Sequence, residues 1–401
     1  MRRQLPAYSP LSLSGLGLAA LDAIRSPDDA RAALSAHLTQ RFAAERVCLT
    51  GSGTEALRLA LEIAKRSRSA RGGLVALPAY SCYDVVTAAV GADVRAVFYD
   101  IDPVTLSPDM ESLSRAIDAG AEIVVAGNLF GFPIDWDAVR SQCDRAGALL
   151  IEDAAQGLGS GWGGREFGTF GDLTVLSFGR GKGWTGGGGG ALLARGELGA
   201  AGLDEFERGV DRLPRPGAGA RAAVLSGVQW CLGRPWAYGL VASLPGTGLG
   251  ETAYKQPAPV TGIPAFCAAA ALRHADAAQG LVTVRRAWAR RWDALFTPAD
   301  GAGTERSGAL EPCVPLTGGA CGYLRYPLLG TSADAFAARA ARAGVARSYP
   351  RALPDLPEAQ PVSARAAGAA RGARALAAGL VTLPTHRLVD EVDVGVVESS
   401  R

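Results

Sequence analysis

The stretch that decides the fold is "LLIEDAAQGLGS", residues 149–160. An apolar run reaches Glu152 and Asp153, side by side, and then turns into small residues. An apolar run of this length bounded by small and glycine residues is the pattern of a buried strand. Two carboxylates at its end are costly unless a cation or hydrogen-bond donors meet them. Neighbours on a strand point to opposite faces, so Glu152 and Asp153 must satisfy that demand separately. We assign chemistry to Asp153 and none to Glu152.

Working outward, similar runs recur through the first half: "RVCLT" from 46, "LVALP" from 74, "VRAVFYD" from 94, "EIVVAGN" from 122, "LTVLSF" from 173 and "GALLA" from 190. Between them lie stretches with helical spacing, "TEALRLALEIAKR", "PDMESLSRAIDAG" and "IDWDAVRSQCDRAG", the last two ending at glycine. Strands alternating with helices predict an α/β fold: a mainly parallel seven-stranded sheet with helices on both faces. Residues 200–255 are broken by Gly and Pro and form a variable segment. An Ala-rich run from 264 predicts one long helix through "CAAAALRHADAAQGLVTVRRAWARRWDAL". A Gly-rich loop after Pro298, strands in "YLRYPLL" and "LVTLP", and a helix in "SADAFAARAARAG" complete the chain. The expected division is a large part, 1–255, and a smaller C-terminal α+β part, 256–401.

Composition narrows the function. Among 401 residues, 41 Lys and Arg balance 39 Asp and Glu, and no basic block stands out, which argues against a nucleic-acid partner. Seven cysteines without a CxxC pair, and three scattered histidines, argue against a zinc site and for reduced thiols in the cytoplasm. The opening "MRRQLPAYSPLSLSGLGLAA" reads as a poor secretory leader. The most apolar region, 222–246, is interrupted by Arg234 and Pro235. It reads as a buried or subunit-facing helical pair, with shallow membrane contact as the alternative.

Three constellations sit at strand ends, where open α/β sheets bind ligands. "LTGSGTEAL", 49–57, turns from strand to helix. Gly51 and Gly53 would let backbone amides converge on a phosphate at a helix N-terminus, and Ser52 and Thr54 could cap that helix or bond the oxyanion; an ordinary capped loop is the alternative. Asp153, with Gln156 three residues on, is the second; bonding to neighbouring amides is its plainer explanation. "LSFGRGKGWTGGGGGALLA", 176–194, is the third. Leu176 and Gly183 exclude a phosphate-loop NTPase motif there. A lone lysine, Lys182, in a Gly-rich turn suits an amine that must bond an aldehyde, although the glycines could serve flexibility alone. Together the three supply an anion cradle, a carboxylate and a lysine. Pyridoxal 5'-phosphate needs that set: amides for its phosphate, an acid to keep its ring nitrogen protonated, and a lysine for its aldehyde.

The pieces also occur in the order of a known family. "GSGTEAL" at 51, "LPAYSCYDVVTAAVGADVRAVFYDIDPVTLSPD" at 77, "GNLFGFPIDWDAV" at 127, "IEDAAQGLGS" at 151 and "FGTFGDLTVLSFGRGKGWTGGGGGAL" at 167 resemble the DegT/DnrJ/EryC1/StrS sugar aminotransferases. Weaker echoes follow in "GVARSYP" at 344 and "VTLPTH" at 381. The resemblance implies a fold-type I pyridoxal-phosphate transferase with a three-layer α/β/α large domain, working as a homodimer. It implies that Lys182 bonds the cofactor aldehyde and later carries a proton. Asp153 pairs with the ring nitrogen, and Gln156 lies beside the ring. Ser177 and the backbone of Gly53 and Thr54 hold the phosphate. The implied reaction passes an amino group from glutamate or a similar donor to a keto-sugar, nucleotide-linked, in polysaccharide or antibiotic-sugar biosynthesis. A lysine at 182 separates the chain from the family's dehydratases. The chain also departs from the pattern. Cys82 stands where an aromatic usually stacks on the ring, so either the stacking is weaker there or Tyr83 or Tyr80 substitutes, and Cys82 and Tyr83 are both counted among the cofactor contacts. The Asn and Arg of a "G-Y-N-x-R-M" segment are missing from "TGIPAFCAAAAL" at 261. Arg180 is a substrate-anion contact or a solvated charge. Other pyridoxal-phosphate chemistry, a lipid-linked acceptor, or a non-catalytic role are the competing implications.

Overall fold

In a computed structural model describing residues 2–68, 73–196, 200–204, 213–242, 252–297, 310–364 and 370–401, each of the seven apolar runs forms a strand. They are β1 (Arg46–Thr50), β2 (Val75–Pro78), β3 (Ala96–Tyr99), β4 (Ile123–Gly127), β5 (Leu149–Asp153), β6 (Leu173–Ser177) and β7 (Gly190–Ala194). The sheet order is β1-β7-β6-β5-β4-β2-β3. Strand β7 is antiparallel to both neighbours and every other pairing is parallel. Two antiparallel steps cancel, so β1 runs with β5 and β6. The carboxyl ends of all three open onto one edge.

Alternation along the strands builds the layers. Leu192 and Ala194 face one apolar cluster, with Leu57, Leu61 and Val175. Ala191 and Leu193 face a second, with Leu34, Leu38 and Phe266. Sheet and covering helices thus make a three-layer α/β/α arrangement. A third cluster gathers Trp292 and Phe296 with Tyr326, Phe336 and Val397 around a four-stranded antiparallel sheet, in which Tyr326–Leu329 pairs Leu380–Leu383.

The Ala-rich run differs from expectation. It forms two helices, Ala265–Arg273 and Ala275–Phe296, with His274 between them at φ −106°, ψ 8°. His274 Nδ1 bonds the Ala270 carbonyl at 2.7 Å, and Nε2 accepts the Ser12 amide at 3.1 Å. A contact with the N-terminal segment therefore sets the break, and alanine's helical preference does not override it. The 222–246 region is the expected helical pair as far as 242, Ala218–Leu232 and Pro235–Ala242; residues 243–246 lie outside the described part. Its Val224, Val228, Trp236 and Leu240 are exposed. No described helix is long and apolar enough to cross a membrane. The Gly-rich loop after Pro298 also lies outside the described residues.

Candidate active site

At the end of β5 the two carboxylates part. Glu152 is fully buried. It accepts the amides of Gly168 at 2.6 Å, Phe170 at 2.8 Å and Gly171 at 3.2 Å, and the Thr174 hydroxyl at 3.1 Å. Arg195 lies nearby and donates to Thr174 Oγ1 and Phe42 O. Burial still pushes the Glu152 carboxyl above its usual range. This network ties the 168–171 turn to the sheet, so Glu152 is structural.

Asp153 faces the other way, into a pocket lined by Gly53, Thr54, Leu57, Cys82, Asp84 and Lys182, among others including Ser177. Its Oδ1 accepts the Ala155 amide at 3.1 Å. Burial pushes its carboxyl up, the Lys182 ammonium pulls it back, and Asp84 opposes ionisation further. A second cation against Asp153 would hold it ionised.

Glycine makes the opposite wall. Ser52 Oγ caps the Gly53–Ser67 helix by accepting the Glu55 amide at 3.1 Å. A Cβ on Gly53 would fall 2.6 Å from Ser177 Cβ and 2.8 Å from its Oγ. Only the missing side chain lets the end of β6 close on the helix start, where free amides and the helix dipole favour an anion. Thr261 donates its amide and hydroxyl to Glu55 Oε2 at 2.8 and 2.9 Å, and accepts the Gly51 amide at 2.8 Å through its carbonyl. The segment lacking the expected Asn and Arg therefore packs beside this same turn.

Lys182 follows β6 in the Gly-rich loop and is followed by Gly183 at φ +85°. Behind Gly183 lies Arg285, 1% exposed, its Nη1 and Nη2 without hydrogen-bond partners among the described residues. Burial lowers Arg285 to about 10.

Of the residues singled out in the sequence, the structure gathers Gly53, Thr54, Cys82, Asp153, Ser177 and Lys182 around one pocket. Gln156 lies in an adjoining cavity that also contains Lys182. Its Oε1 accepts the Phe130 amide at 3.1 Å, and its Nε2 donates to Tyr349 Oη at 2.9 Å. Tyr83 is placed differently: it is absent from both linings and its ring lies 6.3 Å from that of Tyr349. It opens the Asp84–Gly91 helix and packs inward, as does Tyr80 at 5.6 Å from Tyr349. Cys82 alone of the three faces Asp153, and burial pushes its thiol up to about 11, so it is a neutral apolar contact. Asp84, Phe130, Arg325, Arg347 and Tyr349 also line these two cavities, and the sequence alone gives none of them a site role. Arg347 and Tyr349 fall within the "GVARSYP" echo at 344, whereas Arg325 carries no local spacing signal.

The Gly53–Ser177 cradle, the acid short of a cation and the loop lysine fit pyridoxal phosphate in donor type and arrangement. Residues 27–208 match the model of one family. That model is of the DegT/DnrJ/EryC1/StrS aminotransferase family, and the match takes in under half of the chain. The chain is 35% identical over 134 residues to a dTDP-4-dehydro-2,3,6-trideoxy-D-glucose 4-aminotransferase of Saccharopolyspora spinosa. That match spans 33% of this chain and 34% of the relative, so the chain spans about a third of the length of the curated relatives it matches. Structural likeness runs further. PseC of Helicobacter pylori, an aminotransferase involved in the biosynthesis of pseudoaminic acid, matches with TM-score 0.76 and 17% identity over 100% of this chain and 98% of its own. A Streptococcus pneumoniae protein in its PLP form matches with TM-score 0.72 and 19% identity over 99% of this chain and 97% of its own. At such identities the likeness establishes the shared fold.

Proposed function

We propose that the protein is a pyridoxal-phosphate-dependent aminotransferase, moving an amino group from glutamate or a similar amino acid to a nucleotide-linked keto-sugar. The observation that carries this reading is the convergence of Asp153, Ser177, Lys182 and the Gly53–Thr54 helix start on one pocket. Bound there, the cofactor would supply an aldehyde to receive the amine and a ring to draw off an electron pair. The Lys182 Nζ would hold that aldehyde at rest and, once released, take a proton from one carbon and return it to another. Asp153 would keep the ring nitrogen protonated, gaining the cation it needs. Ser177 Oγ and the Gly53 and Thr54 amides would hold the phosphate. Cys82 would lie against the ring as an apolar wall, and Gln156, pinned by Phe130 and Tyr349, would limit its tilt.

Sugar biosynthesis, for a polysaccharide or an antibiotic, is the setting we infer from the named relatives, with the reaction taking place in the cytoplasm. Residues 1–255 would carry the cofactor, and 256–401 the smaller part, with the Ala275–Phe296 helix linking their apolar clusters. The exposed Leu13, Leu18, Ile24, Val224 and Trp236 support a homodimer. Incubating the protein with pyridoxal phosphate, glutamate and nucleotide-linked 4-keto-sugars tests the reading. Appearance of 2-oxoglutarate together with an aminated sugar supports it. Amine uptake without transfer to any keto-sugar would favour a different acceptor on the same scaffold.

A further inference from the structure

The cofactor pocket holds a second carboxylate that the proposed reaction leaves unused. Asp84 lines it together with Asp153, Cys82 and Lys182, and the remaining lining side chains are uncharged. Two acids thus share a small space with one ammonium.

Local structure explains how Asp84 comes to be there. After β2 ends at Pro78 the chain passes Cys82 and enters the Asp84–Gly91 helix. Tyr83 and Val86 turn into the core, whereas Cys82 and Asp84 stay partly open and line the pocket. An acid in the first turn of a helix is ordinarily explained by the helix dipole. That explanation leaves this carboxylate unbonded: its side chain makes no hydrogen bond or ion pair with any described residue.

The groups facing Asp153 fix what the second acid does. Lys182 attracts it from the loop after β6, and Asp84 opposes its ionisation from the helix start. Cys82, beside both acids, is a neutral thiol. Tyr99, on β3, is committed through its hydroxyl to the Val125 carbonyl at 2.7 Å. Two like charges in one enclosed site do not both stay ionised without a cation to share, and one ammonium does not meet both. A protonated ring nitrogen against Asp153 supplies the second cation.

We propose that Asp84 is a positioning residue for the ring-nitrogen proton, forming with Asp153 a carboxylate pair that shares the protonated ring nitrogen as its cation. The inference rests on the aminotransferase reading and deepens it. Asp84 adds negative potential where that proton sits, so the proton is harder to lose than from Asp153 alone.

Two measurements test this. In the first, the protein is loaded with pyridoxal phosphate isotope-labelled at the ring nitrogen, and the nitrogen resonance is followed against pH. Wild type and Asp84→Glu should keep the ring proton to a pH about one unit or more above that of Asp84→Asn. Asp84→Ser serves in its place should Asp84→Asn fail to fold. The second measurement needs no cofactor. In protein carrying carboxyl-labelled aspartate, the Asp153 resonance, assigned by its loss in Asp153→Asn, should titrate about one unit or more lower in Asp84→Asn than in wild type. A ring-nitrogen midpoint that Asp84→Asn leaves in place overturns the proposal, as does an unmoved Asp153 midpoint. A purely structural Asp84 would change thermal stability and neither midpoint. Wild-type protein that never takes up the cofactor sinks the aminotransferase reading instead, and the carboxyl titration still decides whether the two acids act as a pair.

Discussion

Gly53→Ala adds one methyl group where the helix start meets Ser177. Gly53 does not have a positive φ, so alanine fits the backbone and the effect is steric. The new Cβ would lie 2.6 Å from Ser177 Cβ, against an optimal carbon separation of about 3.5–4.0 Å. The neighbour is the first part of a short side chain on a strand, which cannot swing away, so the strand end and helix start must separate by about an ångström. Overpacking of this kind costs about 1–3 kcal/mol. Because the displaced groups are those assigned to the phosphate, the cost should fall on cofactor binding, weakening it roughly 5- to 150-fold at about 1.4 kcal/mol per tenfold. The assay is titration of cofactor-free protein with pyridoxal phosphate, followed by visible absorbance, beside thermal unfolding of the same samples. Gly280→Ala is the control: it adds a methyl with nothing within 4 Å in the Ala275–Phe296 helix and should leave cofactor affinity alone. Wild-type cofactor affinity in a folded Gly53→Ala protein would refute the cradle.

Three further outcomes follow from the geometry. Asp153→Asn should still take up cofactor but lose amine transfer by ~10²–10⁴-fold in a stopped-flow half-reaction, because a neutral amide cannot hold the ring nitrogen protonated; an unchanged rate contradicts the assignment. Glu152→Ala should lose ~3–5 kcal/mol in urea unfolding, since it leaves the buried amides of Gly168, Phe170 and Gly171 without their acceptor; a loss below about 1 kcal/mol contradicts the structural role. His386 is buried and donates Nε2–H to the Leu5 carbonyl at 2.8 Å, and burial lowers its pKa to about 4 from 6.5. Its unfolded form therefore takes a proton first. The stability is present above pH 6.5 and is lost as pH falls toward 4, on the order of 3 kcal/mol in all. His386→Gln should flatten that part of the urea-midpoint profile, and an equally steep profile would exclude His386 as the cause.

Much of this molecule is legible before folding is considered. The strands are short apolar runs ended by Gly, Pro or acid, a local signal that survives packing. Asp153, Ser177 and Lys182 were legible because each sits at or just past such an end, and the parallel topology brings those ends to one edge. What was not legible depends on distant contacts. The break at His274 needs Ser12, 262 residues away. Tyr83 turns inward because Tyr349 and Tyr80 offer an aromatic pocket, which nothing near residue 83 announces. Arg325 and Arg347 reach Lys182 only after the C-terminal sheet docks.

The central claim is that one amine, Lys182, holds the cofactor. The chain has three lysines, Lys65, Lys182 and Lys255, and Lys65 Nζ is engaged with Asp93. Borohydride reduction of the cofactor-loaded protein, digestion and peptide mass mapping measures the claim directly. A pyridoxyl mass is expected on the peptide containing Lys182 and on neither other lysine. A pyridoxyl group on Lys65 or Lys255, or none on a protein that has turned colour with the cofactor, would contradict it.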